Sequence, residues 1–295
     1  MSASITILHV YPKCECEDNE QTANQLLAAA EQSLQLQGKK RIVGPVNLTT
    51  HDETGILVSG FDAAPTMLTP YNPDYYERLL RSAAYSSHSD YLAYRWSPQS
   101  QPTPLLRRIQ TRLKKRDAAS IQIRSFRDGT WKHNIQTVHR LYNQSFDRTP
   151  GFVPIGWNDF QHRARQFRQF FRPELCLLAE RNQTPVGFAI VLPDVNQALG
   201  KINGSLLPWG WLKVARALPR ICSFRFVLLG VQPEYIGQNI SLALIDRALE
   251  TASQLGIESA ELSLVHQQNA KVQRVIDAFG AQSHKVFRLF QKALE

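Results

Sequence analysis

Residues 229–242, Leu-Gly-Val-Gln-Pro-Glu-Tyr-Ile-Gly-Gln-Asn-Ile-Ser-Leu, carry an apolar strand through a Pro-Glu-Tyr turn into a helix. A strand that feeds a helix in this way is a unit of layered, mixed α/β architecture. The join also constrains chemistry. The first amides of a helix have no intrahelical acceptor and lie at the positive end of its dipole, so phosphate oxygens are received there by backbone rather than by side chains. Gly237 gives the turn conformational freedom, and Asn239 is of the residue type that best tolerates positive φ after glycine. A strand-to-helix turn that binds nothing fits the same letters.

The rest of the chain is consistent with a folded, layered protein. Its 295 residues, 43% of them hydrophobic, suffice for one large domain or two of ordinary size. No run approaches the ~18–20 apolar residues that span a bilayer, and the first residues lack a basic segment leading into an apolar one, so a cytoplasmic location is expected. Cys14, Cys16, Cys176 and Cys222 are too scattered for a disulfide framework, and the Cys14-Glu15-Cys16 pair has no second ligand pair, so no metal is expected.

The net charge of +9 is unevenly spread, with residues 1–60 holding seven acids against four bases. The excess lies in three clusters: Arg107 to Arg116, Arg163 to Arg172, and Lys213 with Arg216 and Arg220. Such clusters attract an anionic bilayer, an anionic cofactor or nucleic acid, or are simply solvated helix faces. There is no aromatic-basic strand pattern and no zinc-finger spacing, which argues against sequence-specific nucleic-acid binding.

A proline-rich segment, 97–104, with the basic run after it, divides the chain into 1–97, a linker over 98–119, and 120–295. Downstream, 121–126 alternates as a strand, and Ile135, Val138, Leu141, Tyr142 and Phe146 recur at helical spacing. Asn158-Asp159 reads as the cap of an arginine-rich helix to Phe171. Residues 175–180 and 186–192 form a hairpin around a tight turn at 181–185, and an insertion follows to about Ile221. The strand 224–231, a helix ending at Gly256, the strand 260–265, a helix over 270–279 stopped by Gly280, and the strand 285–290 complete the chain. The first part repeats the later half of this order: a helix over 21–38, a strand over 41–46, a helix over 72–84 opened by Asn72, and a strand over 91–96. Residues 4–10 read as its central strand, and a half-sheet of this kind leaves an edge that needs covering.

The order from residue 120, one strand, two helices, three strands, then helix, strand, helix, strand, together with the 229–242 junction, resembles the GNAT (Gcn5-related N-acetyltransferase) superfamily. Gly44-Pro45-Val46-Asn47, Asp52-Glu53-Thr54-Gly55, Gly60-Phe61-Asp62, Tyr71-Asn72-Pro73, Gly151-Phe152-Val153-Pro154, Leu192-Pro193-Asp194-Val195-Asn196 and Asn203-Gly204 are similar to its bacterial YghO-type branch. The resemblance implies the GNAT acyl-CoA N-acyltransferase fold, a complete unit over 120–295 preceded by a partial GNAT-like unit, whose front is supplied in the branch by ~70 or more further residues. It also implies acetyl-CoA or another acyl-CoA as co-substrate. The coenzyme A loop would comprise Ile236, Gly237, Gln238, Asn239, Ile240 and Ser241, although Ile236, Asn239 and Ser241 replace the family's Arg or Gln, Gly, and Gly or Ala.

In that reaction an amine attacks a thioester, which calls for a donor to the thioester oxygen, a base for the ammonium and an acid for the thiolate. The resemblance places the donor at a backbone amide near Leu229 to Val231 and gives Asn269 to the pantetheine arm, a residue that equally reads as a helix cap. The position of the family's acidic Tyr is held by Ile276, and no Tyr follows Tyr235. Asp194 is nominated as base, with Tyr142 and His266 behind it. Their ordinary readings are a turn carboxylate, a core ring and a surface imidazole. The Asp52-Glu53 pair reads as a loop.

The insertion, with Leu206, Leu207, Trp209, Trp211 and Leu212 among Lys213, Arg216 and Arg220, is an amphipathic basic segment that covers the sheet, lids a cleft or lies on an anionic membrane. Three functions stay open: an N-acyltransferase acting on a small-molecule or lipid amine, a catalytically weak binding or scaffold protein with a degenerate loop, and a peripheral membrane protein that uses the Trp-rich insertion. Oligomeric state is not legible.

Overall fold

The computed structural model describes residues 6–9, 16–46, 53–116, 121–148, 152–200 and 209–294. Cys14, Asn47, Asp52, Gly151, Asn203, Gly204, Leu206 and Leu207 lie outside the described residues, as do the ends of the 4–10 strand, the end of the 98–119 linker and the side chain of Trp211. The chain divides into two compact units, Met1–Ala93 with Leu264–Ala270 and Ser283–Glu295, and Tyr94–Ser263 with Lys271–Gln282. The division is not drawn at the proline-rich segment alone, because the last strand of the sequence is built into the first unit.

In the first unit that strand, β10 (Gln282–Ala293), is the organiser. β1 (Thr6–His9) runs parallel to β2 (Arg41–Val46), β2 pairs antiparallel with the end of β10, and β3 (Ile56–Ser59) pairs antiparallel with its beginning. The order is β1-β2-β10-β4, with β4 spanning Ser86–Trp96. The four-residue β1 is therefore at the end of the order rather than at its centre. The centre goes to the strand with the larger apolar burial, since Phe287 and Phe290 of β10 are completely buried. Ile42, Ile56, Tyr85, Phe290 and Leu34 of α1 (Glu20–Leu36) form the core.

Asn72 does not open a helix as its sequence position implies. Its buried side chain accepts from the Leu57 amide at 2.7 Å and donates to the Leu57 carbonyl at 3.2 Å, replacing a neighbouring strand for β3. Helix α2 begins later, at Tyr75–Ser82, behind Asp74. Across the unit, Arg288 donates to both oxygens of Asp90 at 2.7 and 2.8 Å and to Glu77 at 3.1 Å. This planar fork holds β10 to β4 and α2.

The basic run after the proline-rich segment forms α3 (Pro104–Arg116). The second unit is otherwise a sheet in the order β9-β8-β7-β6-β5, with β5 (Gln122–Ser125), β6 (Leu177–Arg181), β7 (Thr184–Pro193), β8 (Ser223–Val231) and β9 (Ser259–His266), whose residues to Ser263 belong here. β5 through β8 are antiparallel, and β8 and β9 are parallel. The expected hairpin is present and tight. Asn182 and Gln183 occupy its corner at φ +49° and +63°, the mirror-image turn that matches strand twist. From Val186 to Pro193 every residue of β7 is buried, as befits a strand covered on both faces.

The covers are α4 (Trp131–Phe146) and α8 (Ile240–Gln254), both packed on β7 and β8. A Cβ at Gly187 would meet Ile240 of α8, whereas one at the adjoining rung Gly230 would meet Phe188 and Ser145 of α4. Neighbouring rungs point to opposite faces, so the two helices sandwich the sheet. Thr130 caps α4 by accepting from the His133 amide at 3.3 Å, and Ile135, Val138, Leu141 and Tyr142 are its buried stripe. α5 (Trp157–Phe167) starts ahead of the Asn158-Asp159 pair expected to cap it, behind Gly156 with no side-chain cap, and tightens into a 3-10 turn at Arg168–Phe170. In the insertion α6 (Asn196–Leu199) and α7 (Gly210–Ala217) are formed, and α9 (Ala270–Ala278) ends at Gly280, φ +77°. Among the described residues no helix is long and apolar enough to cross a membrane.

Candidate active site

The junction is assembled where β8 ends. Gln232 donates its amide to the Val186 carbonyl at 2.9 Å, and its side chain donates to Gln144 of α4 at 2.7 Å. A single 3-10 turn over Pro233–Tyr235 follows. Ile236 is extended, Gly237 has φ +89°, and Asn239 takes the left-handed conformation at φ +62° immediately before α8. Asparagine tolerates that conformation locally, so the chain turns into α8 here without a glycine. The first helical bond runs from the Ala243 amide to the Asn239 carbonyl at 2.9 Å, which leaves the amides of Ile240, Ser241 and Leu242 without acceptors inside the helix. Gly237, Gln238 and Asn239 are exposed and Ile236 is 59% exposed, so an anion has access to this end of the helix.

Ile236 brings no charge to the loop, but Arg181 does. At the end of β6 its Nη1 donates to Gln238 Oε1 at 3.0 Å, and its guanidinium lies 5.8 Å from the centre of the Tyr235 ring. Gln238 Nε2 in turn donates to the Glu234 carbonyl at 3.4 Å. In the sequence Arg181 reads as a turn residue. The signal that it adjoins the loop lies in the topology: a β6–β7 hairpin beside an antiparallel β8 brings the hairpin corner to the end of β8.

β8 itself changes partners along its length. Within the second unit it is paired with β9 from Ser223↔Ser259 to Phe226↔Leu262, while its ladder with β7 continues to Gly187↔Val231. The β7 ladder slips by one residue between Ile190↔Leu228 and Val191↔Phe226, so Val227 is the extra residue of a bulge. Val227, Leu228 and Leu229 are half-exposed although every other residue from Phe224 to Val231 is buried. Just before the separation, Arg225 and Glu261 face each other across the last rungs, both buried. Arg225 Nε donates to Ser263 Oγ at 2.9 Å, and Ser263 Oγ donates to Glu261 Oε1 at 2.8 Å. This network pins the two strands where their pairing stops, and neither it nor the bulge has a short-range sequence signature.

The nominated residues are dispersed. Leu229 lies on the half-exposed stretch, Val231 is buried, and the irregularity in β8 falls at Val227, ahead of the expected 229–231 stretch. Asp194 is buried at the end of β7; its amide donates to the Ser223 carbonyl at 2.9 Å and its Oδ1 accepts from the Asn196 amide at 3.3 Å, the bonding of a turn residue. Tyr142 is buried on α4 against Phe146, Phe152 and Phe160. His266 and Asn269 belong to the first unit. The His266 ring packs edge-on against Tyr91 at 5.0 Å and its Nδ1 accepts from the Gln268 amide at 3.2 Å; burial, followed by the charge of His88, pulls its pKa below the ordinary value. Asn269 is exposed, its amide bonded to the His266 carbonyl at 2.8 Å, and Ile276 is buried on α9. Cys176 is wholly buried, which pushes its thiol far above the usual range.

Comparison with known proteins agrees with this architecture. Residues 135–281 match the acetyltransferase (GNAT) family. The chain is 28% identical over 285 residues to Protein YghO of Escherichia coli (strain K12), covering 94% of this chain and 72% of that protein. It is 27% identical over 284 residues to the bacterial ceramide synthase of Caulobacter vibrioides (strain NA1000 / CB15N), covering 94% and 73%. A crystal structure of a GCN5-related N-acetyltransferase from Sphaerobacter thermophilus superimposes with a TM-score of 0.56 at 13% identity, covering 93% of this chain and 69% of that one, a likeness of fold alone. Strand order, strand-to-helix junction and these relatives converge, and the domain at residues 135–281 belongs to the GNAT acetyltransferase family.

Proposed function

We propose that the protein is an acyl-CoA-dependent N-acyltransferase that uses acetyl-CoA or a longer acyl-CoA. The observation that carries this reading is β8: one strand that loses its β9 partner, bulges at Val227, exposes three apolar residues and ends in an open helix N-terminus. A coenzyme A diphosphate would be received by the amides at the start of α8, with Arg181 supplying the cation that Ile236 does not. The pantetheine arm would lie along Val227 to Leu229, and a backbone amide at the bulge would donate to the thioester oxygen. The amine nitrogen attacks the thioester carbon, a C–N bond forms, the C–S bond breaks, and the thiolate takes up a proton. With Ile276 in place of a tyrosine, that proton is assigned to water. Asp194 remains the nominated base, at the end of β7, where one of its carboxylate oxygens already accepts from the Asn196 amide.

A lipid amine is the favoured acceptor. A relative of 27% identity is named a ceramide synthase, and a ceramide is the amide of a long-chain amino alcohol. The insertion suits the same substrate: Trp209 is 67% exposed beside α7, which carries Lys213 and Arg216 on exposed positions and half-buries Leu212 and Val214. Such a helix lies along an anionic lipid surface. The exposed Ile236 supports a second reading, a binding protein whose loop has lost its affinity.

Calorimetry with coenzyme A, acetyl-CoA and a long-chain acyl-CoA tests the choice. Saturable binding, weakened roughly tenfold by Arg181→Ala as expected for one charge-assisted contact, supports the enzyme. No binding up to about millimolar, where affinity is only ~4 kcal/mol, supports the scaffold reading.

A further inference from the structure

A cavity lies away from the loop, between two helices of the second unit. Trp131, Lys132 and Ile135 in the first turns of α4 face Trp157, Gln161 and Arg165 of α5 and Arg168 of the following 3-10 turn across a cavity of about 150 Å³. Trp157, Gln161 and Arg165 are spaced four apart and form one stripe of α5, as Trp131 and Ile135 do on α4. The floor is apolar: two indoles and a buried isoleucine, with Trp131 braced edge-on by Phe171 at 4.8 Å. The rim is cationic. Arg168 lies 5.4 Å from the centre of the Trp131 ring, and none of Lys132, Arg165 or Arg168 has an ion pair with an acid among the described residues. α4 contains no acidic residue, and α5 only Asp159 in its first turn.

Lys132, Arg165 and Arg168 are exposed and give the aromatic floor a positive rim, which attracts an anion. The volume equals that of an apolar cavity that takes up benzene and is below the ~300–1,000 Å³ of pockets that enclose whole drug-sized ligands. It therefore suits the few carbons next to an anionic group. We propose that this groove binds an anionic amphiphile, with its first methylenes on Trp131, Ile135 and Trp157 and its phosphate or carboxylate on Lys132, Arg165 and Arg168. No residue of the loop or the β8 bulge lines it, so the site is independent of the acyl-transfer reading.

The probe is decyl phosphate kept below its aggregation threshold, titrated against the whole protein with tryptophan emission as readout, beside decanol and inorganic phosphate. Saturable binding is expected for decyl phosphate, with both fragments at least about tenfold weaker. The double substitution R165E/R168E is expected to weaken binding about tenfold or more, R165Q/R168Q by less, and Arg247→Gln, an exposed cation further along α8, not at all. The two charge-neutral substitutions serve if the reversed pair fails to fold by circular dichroism. Equal binding of decanol or of phosphate, insensitivity to both double substitutions, or an equal loss of binding in Arg247→Gln would overturn the assignment. Co-sedimentation with vesicles containing phosphatidylglycerol, lost in R165Q/R168Q, would identify a bilayer headgroup as the source; decyl phosphate binding without vesicle binding would identify a free amphiphile.

Discussion

Two residues show how individual side chains hold the loop and the sheet to their shapes. Asn239 at φ +62° is at a position where glycine is unstrained and a β-branched residue is not. Asn239→Gly is expected to leave the unfolding free energy, measured in urea, within about a few tenths of a kcal/mol, whereas Asn239→Val is expected to lower it by about 1–3 kcal/mol. His266 makes a pH prediction. Its Nδ1 accepts the Gln268 amide and so must be unprotonated, and its pKa is lowered, chiefly by burial. The unfolded chain therefore binds the proton more readily than the folded one. Stability is full above about 6.5 and declines as pH falls below that value towards the folded pKa. Unfolding midpoints at pH 7.5 and 5.5 should differ less in His266→Gln than in the unsubstituted protein.

Among the elements, the helices and the long strands were legible because their signals are local and repetitive. α8 follows its apolar spacing to the Gly256 stop, and its buried row, Ile240, Leu244, Ile245, Ala248 and Leu249, carries the attachment to the sheet. Leu244→Ala should cost about 2–5 kcal/mol in urea unfolding, since Leu244 has no exposed surface. The 181–185 turn was legible from its composition. What escaped was set by partners distant in sequence: the four-residue β3 held by Asn72, the edge position of β1, and the bulge at Val227, which exists only relative to β7. The loop was found because its amides belong to a continuous stretch of chain. Arg181 was not, because its role comes from a neighbour 57 residues away.

For the whole molecule, the family likeness accounts for the second unit better than for the first, where motif and order were only half repeated. The first unit is nevertheless a discontinuous body completed by the far end of the chain. Removing residues 282–295 strips β2 and β3 of the antiparallel partner they share, together with Phe287 and Phe290. Such a truncation is expected to abolish cooperative unfolding of the first unit and expose the 56–59 segment to limited proteolysis, a result that amide exchange would locate. The same feature sets an order in time. Translation at ~5–20 residues per second takes roughly 10–40 s to cover the roughly 190 residues from Ala93 to Ser283, and for that interval β2 and β3 have left the ribosome without the strand that closes them. Residues 41–59 are thus made well before the strand that closes them, and the sheet of the first unit is expected to be completed only after the stretches that build the second unit have been translated.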